Sequence, residues 1–476
     1  MTLIKSVSGI RGTIGGGTGD NLTPLDTVKF TTAYAAFLQQ RFPGRRLKVV
    51  VGRDARISGP MVQSLVCGTL MGMGVDVVDL GLTTTPTIEL SVTEHKACGG
   101  IMLTASHNPA MWNALKLLNA EGEFLNAEEG AEVVRRSENL DQTAYAAVEA
   151  LGGIEQDPAS IEKHIAKVVA LKDVDVPAIR AAGFKLVVDP VNSTGALAIP
   201  ALLKALGVQQ VEVINGEADG RFAHNPEPLA AHLTGLSEAV RNHKADAGIA
   251  VDPDVDRLAF MCEDGVLYGE EYTLVTVADY ILSLRKGAAV SNLSSSRALQ
   301  DVAEQYGGSY AASAVGEVHV VARMKAVQAV IGGEGNGGVI YPPLHYGRDA
   351  LVGVALFLTH WAHLRAAQGG RLSLSELKKR FPDYTIAKHK LELKPGTDIA
   401  ALLVGLEKQF AAEASQEPVE ICKEDGLKIS FPARKEWVHL RKSNTEPIIR
   451  IYAESATGAA ASALAEDMIK RMETLL

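Results

Sequence analysis

The sequence predicts an α/β protein, with three similar mixed-sheet α/β domains and a smaller C-terminal α+β domain around a central cleft. Three observations carry this expectation. Apolar β-rich runs alternate with Ala/Leu-rich helical segments almost throughout the 476 residues. One unit of strand, polar loop, helix, glycine and strand recurs three times. Beyond about residue 380 the texture changes to short strands that bracket helices.

The first copy runs from Lys48–Val51 through Gly52-Arg53-Asp54 to a helix near 60–74 and a strand at Val75–Val78. The second runs from Lys185–Val188 through the 189–195 loop to a helix near 197–206 and the strand Val211–Ile214. A looser third begins at Ala288–Val290, with a helix near 297–306 and a short strand near Tyr310. A further strand follows each copy and ends in an unusual loop: Ile101–Leu103 before Thr104–Pro109, Ile249–Val251 before Asp252–Arg257, and Ala329–Ile331 before Gly332–Gly338. Ligands of open α/β sheets sit beyond the carboxyl ends of strands, so three equivalent loops predict one shared cleft. The expected domains are 1–150, 151–254, 255–375 and 380–476, with Gly369-Gly370 and Lys378–Pro382 marking the last linker. In the last domain Leu464, Met468, Met472 and Leu475 share a helical face and read as packing.

Composition narrows the function. Apolar residues make up 47% and charged residues 22%, which excludes a disordered tail, a fibre and a small disulfide scaffold. The 47 basic against 56 acidic side chains give a net charge of −9, which argues against a duplex-nucleic-acid binder. Cys67, Cys98, Cys262 and Cys422 are scattered without a C-x-x-C pair, so a reducing compartment is expected rather than disulfides or zinc. Met1–Lys5 leads into a strand with no basic n-region, so no signal peptide is expected. The apolar stretch Leu351–Leu364 is interrupted by Thr359, His360 and His363; it reads as a buried helix too short to span a bilayer. The expectation is a cytoplasmic protein without nucleic-acid or membrane partners, with monomer and homodimer both open.

Four short segments carry chemistry. In Thr104-Ala105-Ser106-His107-Asn108-Pro109, a serine on a turn after a strand is a candidate nucleophile, although its hydroxyl is weak until activated. His107 is a poor activating partner, because an adjacent side chain rarely points back, and the G-x-S-x-G elbow is missing. Ser106 and Asn108 equally suit a capped turn before Pro109. Asp252-Pro253-Asp254-Val255-Asp256-Arg257 sets three carboxylates within five residues, which repel unless a cation lies among them. A calcium loop fails, because Arg257 stands where that loop needs glycine and Leu258-Ala259-Phe260 reads as a strand. Mg²⁺ suits a few carboxylates completed by phosphate oxygens; a solvated acidic turn is the alternative.

Gly333-Glu334-Gly335-Asn336-Gly337-Gly338 contains a literal G-x-G-x-x-G, but Pro342 and Pro343 bar the helix that a dinucleotide site requires. What remains presents Glu334 and Asn336 to sugar hydroxyls or an amino group. Arg441-Lys442-Ser443-Asn444-Thr445-Glu446-Pro447 with Arg450 suits a phosphate dianion. Arg11, within Ser8-Gly9-Ile10-Arg11-Gly12, and Lys116, ten residues past Ser106, fit either a site or a surface.

Together and in this order, these segments resemble the α-D-phosphohexomutase superfamily of phosphoglucomutases, phosphomannomutases and phosphoglucosamine mutases, over essentially the whole chain. The resemblance implies a phosphoserine domain at 1–150, a metal-loop domain at 151–254, a sugar-recognition domain at 255–375 and a phosphate-binding domain at 380–476. It implies that Ser106 is carried as phosphoserine and, with Asp252, Asp254 and Asp256, holds one Mg²⁺ per active site. Arg11 and Arg257 would lie near the phosphoryl group, and His107 belongs to the catalytic loop. Lys116 would exchange a proton with the sugar hydroxyl, provided that neighbouring cations lower its pKa. Glu334 and Asn336 would read the phosphosugar substrate, while Arg441, Ser443, Asn444, Thr445 and Arg450 hold the phosphate that is not reacting. A hexose 1,6-bisphosphate is the implied intermediate and activator.

Two positions depart from the resemblance: Gly338, where many relatives carry His, and Gly316–His319, which lacks their Lys. The expected reaction is intramolecular phosphoryl transfer on a hexose phosphate, best read as glucosamine 6-phosphate to glucosamine 1-phosphate. The alternatives are a phosphomannomutase/phosphoglucomutase, a Mg²⁺-dependent sugar phosphatase and a non-catalytic phosphosugar sensor. Ser106, the three aspartates and Lys116 argue against the sensor, and a fourth domain that closes and excludes water argues against the phosphatase.

Overall fold

The computed structural model describes Thr2 to Leu476 apart from residues 7–8, 141–142, 395, 414–416 and 444–446, together with the side chain of Glu413. The chain divides into two compact units, Met1–Tyr280 with Asn336–Leu377, and Ile281–Gly335 with Lys378–Leu476.

The first unit holds two mixed sheets. Its N-terminal sheet comprises β1 (Ile4–Ser6), β2 (Gly9–Thr13), β3 (Lys48–Arg53), β4 (Asp76–Leu82), β5 (Gly99–Leu103), β6 (Trp112–Leu118) and β7 (Ile154–Gln156). Their order is β1-β2-β6-β5-β3-β4-β7, parallel across β5-β3-β4-β7 and antiparallel elsewhere. β5, parallel to β3 and antiparallel to β6 at the centre of the sheet, is buried along its whole length and so shows no apolar/polar alternation. The second sheet has β8 (Lys185–Asp189), β9 (Gln210–Val213), β10 (Ala247–Val251) and β11 (Leu258–Cys262), in the order β11-β10-β8-β9. Here β10 and β11 form an antiparallel hairpin with Val251 opposite Leu258, so the aspartate loop is its connection. A boundary at 254/255 would cut this hairpin; we propose that the second domain runs through β11.

The third copy begins in the second unit with β12 (Ala288–Asn292), β13 (Ser309–Ser313) and β14 (Ile331–Glu334), in the order β13-β12-β14; β15 (Gly338–Ile340) follows in the chain. In each copy the first strand is flanked by the second and third: β4-β3-β5, β9-β8-β10 and β13-β12-β14. The internal repeat is thus a repeat of topology. One expectation needs correction. The strand expected at 329–331 begins at Ile331 and takes in Gly332, Gly333 and Glu334, so Glu334 sits on a strand rather than a loop. Glycines carry no β-propensity signal, which hid this strand.

The C-terminal part of the second unit is an antiparallel sheet of β16 (Thr385–Glu392), β17 (Glu420–Cys422), β18 (Leu427–Phe431), β19 (Glu436–Lys442) and β20 (Ile448–Ser455), ordered β16-β20-β19-β18-β17. Helices Ile399–Glu413 and Gly458–Leu475 belong to this part. Met468 and Met472 pack in its core, whereas Leu475 at the end of the expected stripe is exposed.

In the first unit the apolar helix spans Ala350–Ala367, longer than the sequence pattern suggested. By length and composition alone it could cross a membrane, which corrects the earlier length argument. Residues 350–362 are all buried within the protein, however, so the helix is built as core. Its Phe357 stacks on Phe260 of β11 with ring centroids 3.9 Å apart, and Tyr268 meets Phe357 edge-on at 5.4 Å. This contact anchors the strand that leaves the aspartate loop. Phe357→Ala should therefore cost about 3–5 kcal/mol in urea unfolding. A loss below about 1 kcal/mol would show that β11 is held by other means.

Candidate functional site

The aspartate loop is held from several sides. Val255 is fully buried with φ at +63°, a left-handed conformation costly for a β-branched residue. Its amide donates to Asp252 O at 3.1 Å and its carbonyl accepts from Ala350 N at 3.2 Å. Ser193 Oγ and Thr194 Oγ1 both donate to Pro253 O, at 2.7 and 2.8 Å. Thr85 donates through its amide to Asp254 O at 2.9 Å and through its hydroxyl to Asp254 Oδ2 at 2.5 Å. The loop is therefore no solvated turn. Asp252, Asp254 and Asp256 are completely buried, and one oxygen from each lies within 4.8 Å of the others.

Three buried carboxylates require compensation. Lys116 Nζ lies 2.7 Å from Asp254 Oδ2 and 3.4 Å from Asp256 Oδ2; Arg348 Nη2 lies 2.8 Å from Asp256 Oδ2. Asp252 Oδ1 accepts from the amides of Asp256 and Arg257, and its Oδ2 accepts from Ser106 Oγ at 2.7 Å. After this, Asp254 Oδ1 and Asp256 Oδ1 remain buried with no hydrogen-bond partner. Orphaned carboxylate oxygens beside a third carboxylate are the donor set of a hard divalent cation, so the residues present fit Mg²⁺. Burial, reinforced by Asp256 and Asp254, holds the Asp252 carboxyl well above the ordinary carboxylate range. For Asp256 burial acts in the same sense, but Arg348 and Lys116 outweigh it and hold the group ionised.

Ser106 also has a left-handed backbone, at φ +49°. Its loop is gathered by Arg56, whose side chain is fully buried. That guanidinium donates to the carbonyls of Ser106, Asn108, Pro109 and Trp112 at 2.5–3.0 Å and pairs with Asp54 at 3.0 Å. Asp54 in turn accepts from Thr104 Oγ1, which receives the Ser106 amide. Five N–H donors in a fixed fork suit a loop that offers only carbonyls.

Two expectations about residues around Ser106 change. His107 does reach back, with Nδ1 3.4 Å from Ser106 Oγ. The left-handed turn at Ser106 brings the adjacent side chains together. Burial, then Arg257, pushes the imidazole down to about 2, which keeps it neutral. Lys116 departs in the opposite sense from the expectation. Burial would lower its pKa, but Asp254 and Asp256 outweigh burial and raise it, so the residue is a fixed ammonium. Neighbouring carboxylates, not neighbouring cations, decide its state.

Arg11 on β2 stands opposite Ala114, so it shares a sheet face with Lys116. Arg257 is mostly buried, 3.5 Å from Glu227. Asn336 accepts the Gly338 amide within its turn, and Gly337 there is obligatory: at φ +84° a Cβ would lie 2.0 Å from Leu258 O.

In the second unit Glu334 is buried, and its Oε1 accepts from Asn292 Nδ2 at 2.8 Å and the Gly316 amide at 2.9 Å. Arg441 and Arg450 are direct cross-strand partners, with Lys390 opposite Arg450 on the other side. Like charges side by side are unfavourable in a bare ladder, and such a row suits a phosphate dianion. Arg441 Nε pairs with Asp425 Oδ2 at 2.7 Å. Ser443 is buried, its amide donating to Ile448 O. Ser8, Asn444, Thr445 and Glu446 lie outside the described residues.

Sequence reasoning missed Arg56, Asp54, Thr85 and Arg348. Only the first two had a signal, since they occupy the loop after the first strand of the first repeat, equivalent to Pro190–Thr194 in the second. Arg348 and Thr85 reach the aspartates only through the fold.

Comparison with known proteins places this geometry. Models of the phosphoglucomutase/phosphomannomutase α/β/α domains I, II and III match residues 3–144, 162–265 and 269–384, and the model of the C-terminal domain matches 391–471. The chain is 32% identical to the phosphoglucosamine/phosphogalactosamine mutase of Sulfurisphaera tokodaii, over 99% of this chain and 100% of that one. It is 34% identical to a phosphoglucomutase/phosphomannomutase of Thermococcus kodakarensis, over 96% of each. In fold it matches a phosphoglucomutase/phosphomannomutase family protein of Burkholderia thailandensis with a TM-score of 0.83 at 24% identity, covering 99% of this chain and 97% of that one. With all four domains matched in order, the chain belongs to the α-D-phosphohexomutase superfamily, isomerases that relocate a phosphoryl group on a hexose phosphate.

Proposed function

We propose that the chain interconverts glucosamine 6-phosphate and glucosamine 1-phosphate through a phosphorylated Ser106 and a hexose 1,6-bisphosphate. The observation that carries the relay is the 2.7 Å hydrogen bond from Ser106 Oγ to Asp252, at the edge of three buried carboxylates. Asp252, Asp254 and Asp256, with the phosphate on Ser106, would hold one Mg²⁺ per site. Bound there, the ion would neutralise charge on the phosphoryl oxygens during transfer.

In the first half-reaction the bond between phosphorus and Ser106 Oγ breaks as a bond to the free sugar hydroxyl oxygen forms. The proton lost by the hydroxyl is matched by the one gained by Ser106 Oγ as it leaves phosphorus. After the bisphosphate has turned, Ser106 Oγ takes the other phosphoryl group and gives up that proton as the sugar oxygen left behind gains one. Lys116, as an ammonium fixed among carboxylates, is suited to donate to the oxygen that leaves phosphorus. Arg11 and Arg257 would face the phosphoryl oxygens; Arg441, Ser443, Asn444, Thr445 and Arg450 would hold the idle phosphate in either orientation. Little covalent invention is needed, because phosphoryl transfer is dominated by positioning and charge.

The amino-sugar assignment rests on Glu334, whose carboxylate would gain a charge-assisted bond from a protonated 2-amino group, and on the name of the Sulfurisphaera relative. A second reading, phosphomannomutase/phosphoglucomutase, draws support from the Thermococcus relative and from the two donors that already occupy Glu334 Oε1.

Ser106→Ala should fold and bind phosphosugar normally but lose turnover by about three orders of magnitude or more, since the relay passes through that oxygen. Turnover like that of the unaltered enzyme would remove Ser106 from the mechanism. The substrate is tested by kcat/KM for glucosamine, glucose and mannose phosphates on one preparation, each primed with its bisphosphate. Glucosamine phosphate should lead. A preference above about tenfold for glucose or mannose, roughly 1.4 kcal/mol in the transition state, would replace the amino-sugar reading with the second.

A further inference from the structure

The second unit contains a carboxylate that no role above uses. Asp425 lies in the turn between β17 and β18. Its Oδ2 is 2.7 Å from Arg441 Nε and also accepts the Val315 amide at 3.0 Å. The next amide along the chain, that of Gly316, donates to Glu334 Oε1 at 2.9 Å. Two successive amides therefore serve two carboxylates. The peptide makes this possible because Gly316 has φ at +121°, a conformation that side chains rarely adopt. The turn itself is well fixed: Asp425 O accepts from His439 Nε2 at 2.7 Å, and Glu424 engages the Ala314 amide and Arg323.

We propose that Asp425 is a positioning residue that couples the phosphate grip to sugar recognition, acting on Arg441 directly and on Glu334 through the Val315 and Gly316 amides. This inference rests on the reading of Arg441 as phosphate-holding and Glu334 as sugar-reading. The ion pair places a carboxylate 2.7 Å from Nε and so holds the guanidinium in position by charge. Loss of the carboxylate frees the guanidinium. It also releases the Val315 amide, and with it the adjoining Gly316 amide, one of the donors to Glu334 Oε1. A residue that only stabilised the turn would change the amount of folded enzyme and leave sugar preference alone.

The test compares Asp425→Ala and Asp425→Asn with Glu424→Gln, which alters the same turn without touching Arg441. Arg441→Ala and Glu334→Gln serve as benchmarks. KM, kcat and the ratio of kcat/KM between hexose phosphates are measured for each, with melting temperature as the check on folding. Asp425→Ala should raise KM about tenfold for every hexose phosphate and move the ratios toward one, because both contacts are lost. Asp425→Asn keeps an acceptor for Val315, so it should raise KM with a smaller change in the ratios; it decides the matter if the alanine variant does not fold. Glu424→Gln should stay within about twofold of the unaltered enzyme. The proposal is overturned if KM is unchanged in both Asp425 variants, or if KM rises while the ratios hold in the alanine variant. If Arg441→Ala itself leaves KM unchanged, the phosphate reading fails as well. If that variant loses affinity and the Asp425 variants do not, only the coupling fails.

Discussion

Three aspartates buried in one hairpin connection are tolerable only because fixed cations meet them, and much of the first unit is arranged around that constraint. Lys116 and Arg348 take one oxygen of Asp254 and of Asp256, while backbone amides and Ser106 take those of Asp252. Removing one partner from such a group costs about 3–5 kcal/mol, because a charge is then left bare in a poor solvent. The two oxygens that stay unpartnered are the exception, and they mark where a further cation fits. Charge compensation and the proposed metal site are thus one design, in which the protein neutralises enough of the negative charge to fold and leaves a set of oxygens that would suit a cation.

The repeated topology explains how so few residues do this. Each copy delivers a loop at the end of its third strand, and the first two loops meet in the hydrogen bond between Ser106 and Asp252. The loops after the first strand of the first two copies serve as braces. In the first copy that brace is Arg56, which holds the Ser106 loop by its carbonyls; in the second, Ser193 and Thr194 hold Pro253. Strain sits at the two residues that aim the site, Ser106 and Val255, both left-handed and both pinned by neighbours. Such conformations persist where the surroundings over-determine them.

The fold was legible because alternating apolar runs and a threefold repeat are linear in sequence, and so was the aspartate cluster. What escaped was non-local. Arg348 lies 92 residues from Asp256, and nothing in its neighbours announces the ion pair. The ionisation of Lys116 could not be read either, since its sign depends on which charges the fold brings close. Glu334 was expected on an open loop, but its glycine-rich segment is a strand and its carboxylate is buried, with bonds to Asn292 and Gly316.

The central claim is that Ser106 carries the phosphoryl group in transit. Intact mass of the purified enzyme, taken after incubation with a hexose 1,6-bisphosphate and again after phosphatase treatment, tests it directly when combined with peptide mapping. The account predicts one phosphoryl group, on the peptide containing Ser106, gained with the bisphosphate and lost to the phosphatase. A phosphoryl group on a different residue, or none under any condition, would contradict it.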